Sequence, residues 1–344
     1  MSKPNTILLV LSICTLVFAI DACRKFDYKG GTVITIVNPP GFPVQTQFAN
    51  TSLTKERIEL GRRLFYDGNL SADGSISCGS CHQQIAAFGT YDHDLSHGLN
   101  GAHSSRNAPP LFNLLWRTSF GWDGRYKRIE DVIEAHLNSH LDMGSNSNHL
   151  QHKLEQLNRY QPFFKAAYGS SDITKERLLN ALAQFTATMV SASTKYDSVK
   201  QGLATFTFIE QTGYTVFQNK CSSCHKEPLL GDESFRNIGL PLNPAINDKG
   251  RMDVTGKRED SLKFRVPSLR NLFKSYPFMH DGRFVAFSQV FEHYATSVQQ
   301  SFTLDAMLKN GIALSASEQN ALISFLRTVT DEKFVTEEKY KPLQ

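Results

Sequence analysis

Cys78-Gly79-Ser80-Cys81-His82, and its echo Cys221-Ser222-Ser223-Cys224-His225, decide how the rest of the chain is read. Each is C-x-x-C-H, the attachment signature of a c-type haem. Two thiols a helical turn apart add across the two vinyl groups of one porphyrin. The imidazole that follows faces the iron and ligates it from the proximal side. Together the two pentapeptides use every cysteine downstream of residue 23. A zinc reading needs both cysteine pairs close enough to share a metal, and they stand in different halves of the chain. A thioredoxin-like redox reading needs a βαβ context that the sequence lacks. Cys78, Cys81, Cys221 and Cys224 are therefore expected to hold two haem c groups covalently, with His82 and His225 on the two irons.

Working outward, 344 residues with 40% apolar content and 24 Phe are enough for two ordinary cores. A net charge of +4 is mild and argues for no nucleic-acid partner. Covalent haem attachment takes place outside the reducing cytosol, so an export compartment, the periplasm, is expected. The N-terminus agrees. Lys3 precedes an apolar run from Ile7 to Ile20 that is short for a bilayer span and suits a signal h-region. Ala19-Ile20-Asp21-Ala22-Cys23 resembles a loose lipobox, which makes a lipid anchor at Cys23 the one expected membrane attachment. An ordinary cleaved signal and an uncleaved anchor are the alternatives.

The chain divides as a lipoprotein-type signal peptide over 1–22, a tether over 23–50, a domain over 51–198, a second over 199–335, and a tail over 336–344. The tether contains Gly30-Gly31, Pro39-Pro40-Gly41 and Pro43, with Val33 to Val37 as a short strand or extended piece. Helices are expected over Thr51–Asp67, Ile129–Asn138, Asn148–Arg159 (ended by Pro162) and Thr174–Ser191. After a polar stretch from Ser191 to Gly202 come helices over Phe208–Gln218 and Phe287–Tyr294. A last helix runs to Val329 from the capping box Ser315-Ala316-Ser317-Glu318. Long loops follow each haem motif, and the first carries His93, His97 and His103. Helix, haem motif, long loop and later helix occur twice, which reads as an internal duplication. The fold class is mainly α: two cytochrome c-like domains, each carrying one covalently attached haem c.

Further segments resemble the bacterial dihaem cytochrome c peroxidase family, including its MauG-like members. They are Leu60-Gly61-Arg62-Arg63-Leu64-Phe65-Tyr66-Asp67, Arg106-Asn107-Ala108-Pro109, Trp122-Asp123-Gly124-Arg125, Asp142-Met143-Gly144, Phe264-Arg265-Val266-Pro267-Ser268-Leu269-Arg270-Asn271 and Tyr276-Pro277-Phe278-Met279-His280-Asp281-Gly282. The resemblance implies that the His82 haem meets peroxide and that the His225 haem takes electrons from a donor protein. It places Trp122 between the haems, where the plain reading of the residue is a core aromatic. It places a candidate calcium at Asn107 with the carbonyls of Arg265 and Pro267. It also leaves open a homodimer.

The sequence departs from that family's pattern at three places. The acid–base Glu before Met-Gly is Asp142, and its companion Gln falls at Val132, which cannot hydrogen-bond. The position of a blocking distal His is Leu99, with His97 and His93 nearby, so an open first haem is expected. The distal ligand of the second haem falls at Tyr294, as in MauG-like enzymes, with Met279 competing. The leading reading is a peroxidase that reduces hydrogen peroxide to water with electrons from a small periplasmic cytochrome c or cupredoxin. The alternatives are a MauG-like enzyme that turns peroxide-derived high-valent iron on a protein or organic substrate, and a dihaem electron carrier without catalysis.

Overall fold

The computed structural model describes residues 30–49, 51–91, 93–147 and 149–343. The expected signal segment and Cys23 lie outside the described residues. Among the described residues, no helix is long and apolar enough to cross a membrane. The first unit holds α1 (Lys55–Phe65), α2 (Cys78–Cys81), α3 (Ile129–Asn138), α4 (Leu150–Gln156), α5 (Gln161–Tyr168) and α6 (Lys175–Ala187). A short α7 (Lys195–Lys200) leads into the second unit, with α8 (Phe208–Lys220), α9 (Met252–Thr255), α10 (Phe287–Thr296) and α11 (Ala316–Arg327). Strand structure is slight. β1 (Val33–Ile34) pairs antiparallel with β2 (Leu53–Thr54), and β3 (Phe235–Arg236) with β4 (Phe264–Arg265).

One helix crossing builds each unit, and the two crossings match atom for atom. α1 starts at Thr54, whose hydroxyl accepts from the Arg57 amide, and buries Leu60, Leu64 and Phe65. It crosses α6 at Gly61, where an added Cβ would stand 1.9 Å from the Ala181 carbonyl oxygen and 2.9 Å from the Phe185 Cβ. α8 crosses α11 at Gly213, where a Cβ would stand 1.9 Å from the Ala321 carbonyl oxygen and 2.9 Å from the Phe325 Cβ. Glycine costs up to about 1 kcal/mol in a helix interior. Here it lets two backbones touch, and dense packing offsets the loss. The duplication expected from the order of parts is thus present as the same Gly, Ala and Phe contact in both units.

Most expected helices form close to the expected bounds, because their caps were explicit: Thr174 caps α6, and Ser315 with Glu318 forms the capping box of α11. Pro162 plays a different part from the one expected. It sits in the first turn of α5, where its missing N–H costs nothing, so it opens a helix; α4 has already ended at Gln156, with Asn158 left-handed at φ 53°. Residues 36–48 are docked on the first unit. Phe42 packs edge-on to Trp116 with ring centroids 4.9 Å apart, and Asn38 accepts from the Trp116 indole at 2.8 Å. At the other terminus, Phe334, Val335 and Tyr340 return to the first unit and are buried in its core with Phe65 and Phe88.

Between the units the polar stretch after Ser191 is polar because it is a buried hydrogen-bond hub. Arg270 has no exposed surface, and it pairs with Asp197 through Nη1 at 2.9 Å and Nη2 at 2.6 Å. Its remaining donors reach the carbonyls of Pro228 and Ser191. Asn271 donates to the Ser191 hydroxyl and accepts from the Asp331 amide, so Ser191, Arg270 and the end of α11 are tied together. Removing one partner of a buried, fully bonded ion pair costs about 3–5 kcal/mol. Asp197→Ala is expected to lower the unfolding free energy from urea denaturation by that amount, and a wild-type value would show that the pair does not hold the units together.

Candidate functional site

Both C-x-x-C-H segments are single helical turns. The His82 amide donates to the Cys78 carbonyl at 2.9 Å and the His225 amide to the Cys221 carbonyl at 3.0 Å. The turn puts two thiols and one imidazole on one side. In the first unit Gly79 lets the turn press on Tyr66, whose ring carbon would stand 2.5 Å from an added Cβ. Each imidazole is then fixed by backbone carbonyls. His82 Nδ1 lies 2.7 Å from the Phe88 oxygen; His225 Nδ1 lies 3.2 Å from the Leu230 oxygen and 3.1 Å from the Pro267 oxygen. A carbonyl only accepts, so Nδ1 carries the proton and Nε2 is left as the free donor atom. Burial pushes the His82 imidazole down to about 4, against the Phe88 hydrogen bond, so it is neutral, as an iron ligand must be. Burial pushes the Cys78 thiol up to about 12 and the Cys221 thiol up to about 11. Among the described residues, no group of three or more His, Cys, Asp and Glu is arranged to hold a metal ion.

Beside the second motif opens a mostly apolar cavity of about 540 Å³, lined by Cys221, Cys224, His225, Met279 and Tyr294 among others. Its size and lining are those of a cofactor pocket. Tyr294, half-buried on α10, lines it, and its hydroxyl makes no hydrogen bond among the described residues. Burial raises the Tyr294 phenol, and the two thiols of the motif add to that. Met279 reaches the same cavity from a left-handed backbone, φ 76°. Cysteine pair, carbonyl-held imidazole and empty apolar volume together fit a covalently held porphyrin.

Over the first motif stands Asp142. Its turn runs from Ser139 to Gly144, closed by Asp142 N to Ser139 O at 3.1 Å and Gly144 N to Ser139 O at 2.7 Å. Leu99 locks this turn: its amide donates to the Asp142 carbonyl at 3.1 Å, and its methyl fills the notch at Gly144. Asp142 Oδ2 lies 3.1 Å from His136 Nδ1. Burial would raise the Asp142 carboxyl, but the hydrogen bonds from His136 and Ser139, with His82 nearby, hold it below the usual carboxylate range. The pair is tied to the motif through the loop between them: Cys81 Sγ lies 3.7 Å from the His97 carbonyl, and the Leu99 amide reaches the Asp142 carbonyl. The sequence reading missed His136. It lies one helical turn beyond Val132 on α3, and that i, i+4 spacing was the only available signal. Val132 itself packs among Leu111, Ile129 and Ile133. His93, His97 and His103 are exposed and lie against one another in tilted pairs, with ring centroids 4.8 and 4.4 Å apart.

Trp122 lines both the second-motif cavity and a smaller one of about 50 Å³ between the units. Its indole donates to the Asn107 carbonyl at 2.8 Å, and its own carbonyl accepts from the Arg265 amide at 2.7 Å. Gly124, φ +70°, brings this loop against Phe235 of the second unit, the bulky neighbour the glycine called for. The candidate calcium donors are close together, but Pro267 already holds His225 and the Asn107 Nδ2 group donates to the His93 and Asp94 carbonyls.

Arg106 fastens the units beside Trp122. It meets Asp248 of the second unit at 2.6 and 2.8 Å and Asp123 of the first at 2.6 Å.

Residues 55–205 match a family model described as di-haem cytochrome c peroxidase, and residues 210–330 match one described as cytochrome c. A protein named cytochrome c551 peroxidase from Nitrosomonas europaea is 30% identical over 298 residues, which is 85% of this chain and 85% of that one. The methylamine utilization protein MauG of Methylorubrum extorquens is 31% identical over 292 residues, 81% of this chain and 80% of that one. A solved structure of a MauG-like protein associated with microbial copper homeostasis has a TM-score of 0.80 at 28% identity, covering 90% of this chain and 98% of that one.

The Arg106 bridge sets an acid limit. Burial would raise both the Asp123 and the Asp248 carboxyl, but their arginine partners outweigh it and hold both low. A carboxyl depressed by folding stabilises fully above its unfolded value of about 4 and loses that contribution as pH falls through the folded value. Thermal midpoints are therefore expected to fall steadily below about pH 4. Arg106→Gln should lower the neutral-pH midpoint and flatten the acid slope; a wild-type slope in that variant would contradict the bridge.

Proposed function

The chain belongs to the di-haem cytochrome c peroxidase family, and from that premise we propose that it reduces hydrogen peroxide to water with electrons from a small periplasmic cytochrome c or cupredoxin. Cys78 with Cys81, and Cys221 with Cys224, hold the two porphyrins covalently, and His82 and His225 are the proximal ligands. When bound, the two haem c groups supply a redox-active iron at each motif, one to meet peroxide and one to receive electrons. The observation that carries this reading is the difference between the two faces. The first motif is faced by an ionised, hydrogen-bonded carboxylate, Asp142, and the second by an unpartnered phenol, Tyr294.

Splitting peroxide requires that a proton pass from one oxygen to the other, so that water can leave. Asp142 governs that transfer. Leu99 in place of a blocking imidazole leaves the first site open without prior reduction. Trp122, pinned by Asn107 and Arg265, is the proposed link between the two sites. Placement in the periplasm follows from covalent haem attachment, with Cys23 as the proposed lipid site.

Tyr294 supports a second reading. A phenolate ligand favours the oxidised states of iron, so the second site would store oxidising power for an organic or protein substrate, as in MauG-type chemistry. Turnover separates the two. Mixing the holoenzyme with peroxide and a reduced small soluble cytochrome c is expected to oxidise two cytochromes per peroxide. Asp142→Ala should lower kcat/KM by about 10²–10⁴-fold, and Trp122→Phe should slow turnover while the haem spectra stay unchanged. Slow cytochrome oxidation that speeds up in Tyr294→Phe would favour the second reading, and no oxidation at all would defeat the first.

A further inference from the structure

The observation to start from is the hydrogen bond between His136 and Asp142. Asp142, as a carboxylate, offers only acceptor oxygens, so the 3.1 Å contact requires the proton on His136 Nδ1. His136 Nε2 is then the basic nitrogen, and the ring makes no other hydrogen bond among the described residues. The side chain is 57% exposed, so a small molecule can reach it. Contacts set the pair beside the first haem motif: Cys81 Sγ lies 3.7 Å from the His97 carbonyl, and Leu99, two residues on, donates to the Asp142 carbonyl at 3.1 Å.

The supporting shell is built to keep it there. Gly98 lets the 93–103 loop press against the Asp142 turn, where an added Cβ would stand 1.8 Å from the Leu141 carbonyl oxygen. The turn from Ser139 to Gly144 folds residue 142 back over residue 136, so a sequence separation of six becomes a hydrogen bond. A carboxylate held low, as Asp142 is, is a weak base and a good anchor; an imidazole is the side chain most often used to exchange protons.

We propose that His136 is the group that exchanges the proton with peroxide at the first site, and that Asp142 is the positioning residue that fixes its tautomer and orientation. The inference rests on the reading that peroxide binds over His82. His136 Nε2 takes the proton from the peroxide oxygen nearer His82 and gives it to the outer oxygen. The O–O bond breaks with both its electrons on the outer oxygen, which leaves as water. The remaining oxygen, two electrons short, becomes a second water with two electrons from the reduced donor protein and two protons from solvent.

Cyanide association tests this without turnover. Hydrogen cyanide binds a ferric haem as the anion, so its proton must be taken up by a neighbouring base. In the ferric holoenzyme, His136→Ala and His136→Gln are both expected to slow cyanide association at the first haem by about a hundredfold or more. The spin state and the haem content should be unchanged. Gln preserves hydrogen bonding but cannot accept the proton, so a wild-type rate in His136→Gln would overturn the proposal by showing a purely structural role. A low-spin wild-type first haem that turns high-spin and binds cyanide faster in His136→Ala would overturn it by making His136 an iron ligand. If wild-type protein with two haems binds no cyanide at the first haem in any variant, the peroxide reading fails along with the inference.

Discussion

The structure depends on a hydrogen bond that each half makes once its motif has turned: a backbone carbonyl accepting Nδ1–H of the proximal imidazole. Only with that proton fixed is Nε2 presented as a ligand atom. In both units the carbonyl comes from a residue in the left-handed region, Phe88 at φ 60° and Leu230 at φ 55°. A non-glycine residue is held there only where its surroundings over-determine it, and such positions cluster at functional sites. Phe88 is locked by its ring, which stands against Phe65, Phe334 and Tyr340. The C-terminal residues that fold back onto the first unit therefore support its ligand.

The second imidazole has an extra carbonyl, that of Pro267, and this joins the site to the interface. The segment from Phe264 to Asn271 gives a task to nearly every residue. Arg265 binds the Ser119 and Gly121 carbonyls and so holds the Trp122 loop; Pro267 orients His225; Ser268 bonds to Leu229; Arg270 and Asn271 enter the buried hub. Two sites built by the same turn then differ in what faces them, His136 with Asp142 in one and Tyr294 in the other. In the proposed reading, like motifs with unlike facing groups would let a duplicated unit divide its labour, because axial and surrounding groups set the behaviour of a haem iron.

Much of this was legible in the sequence because it was local. The haem motifs are contiguous. The helix over residues 129–138 was bounded by its own apolar pattern, and Ser315 with Glu318 announced a capping box. What was not legible depends on chain returning from a distance. Phe334 reads as part of the second domain and Tyr340 as tail, and nothing in their spacing says that they complete the first core. His136 reads as one more histidine near a helix C-terminus, where the helix dipole favours it anyway. Only the turn that folds Asp142 back shows it as half of a pair. Asn107 was singled out as a metal donor; its side-chain Nδ2 and its backbone also knit the His93 loop, Trp122 and His280 together. Polar residues at interfaces make such bonds routinely, and sequence does not distinguish them from ligands.

Intact-mass spectrometry of the purified mature protein, read beside Cys78→Ala with Cys81→Ala and Cys221→Ala with Cys224→Ala, tests the central claim most directly. Two covalent haem additions are predicted for the native chain, and one for each double variant, the survivor lying at the motif left intact. A native mass showing fewer than two additions, or a double variant that still carries both, would contradict the account.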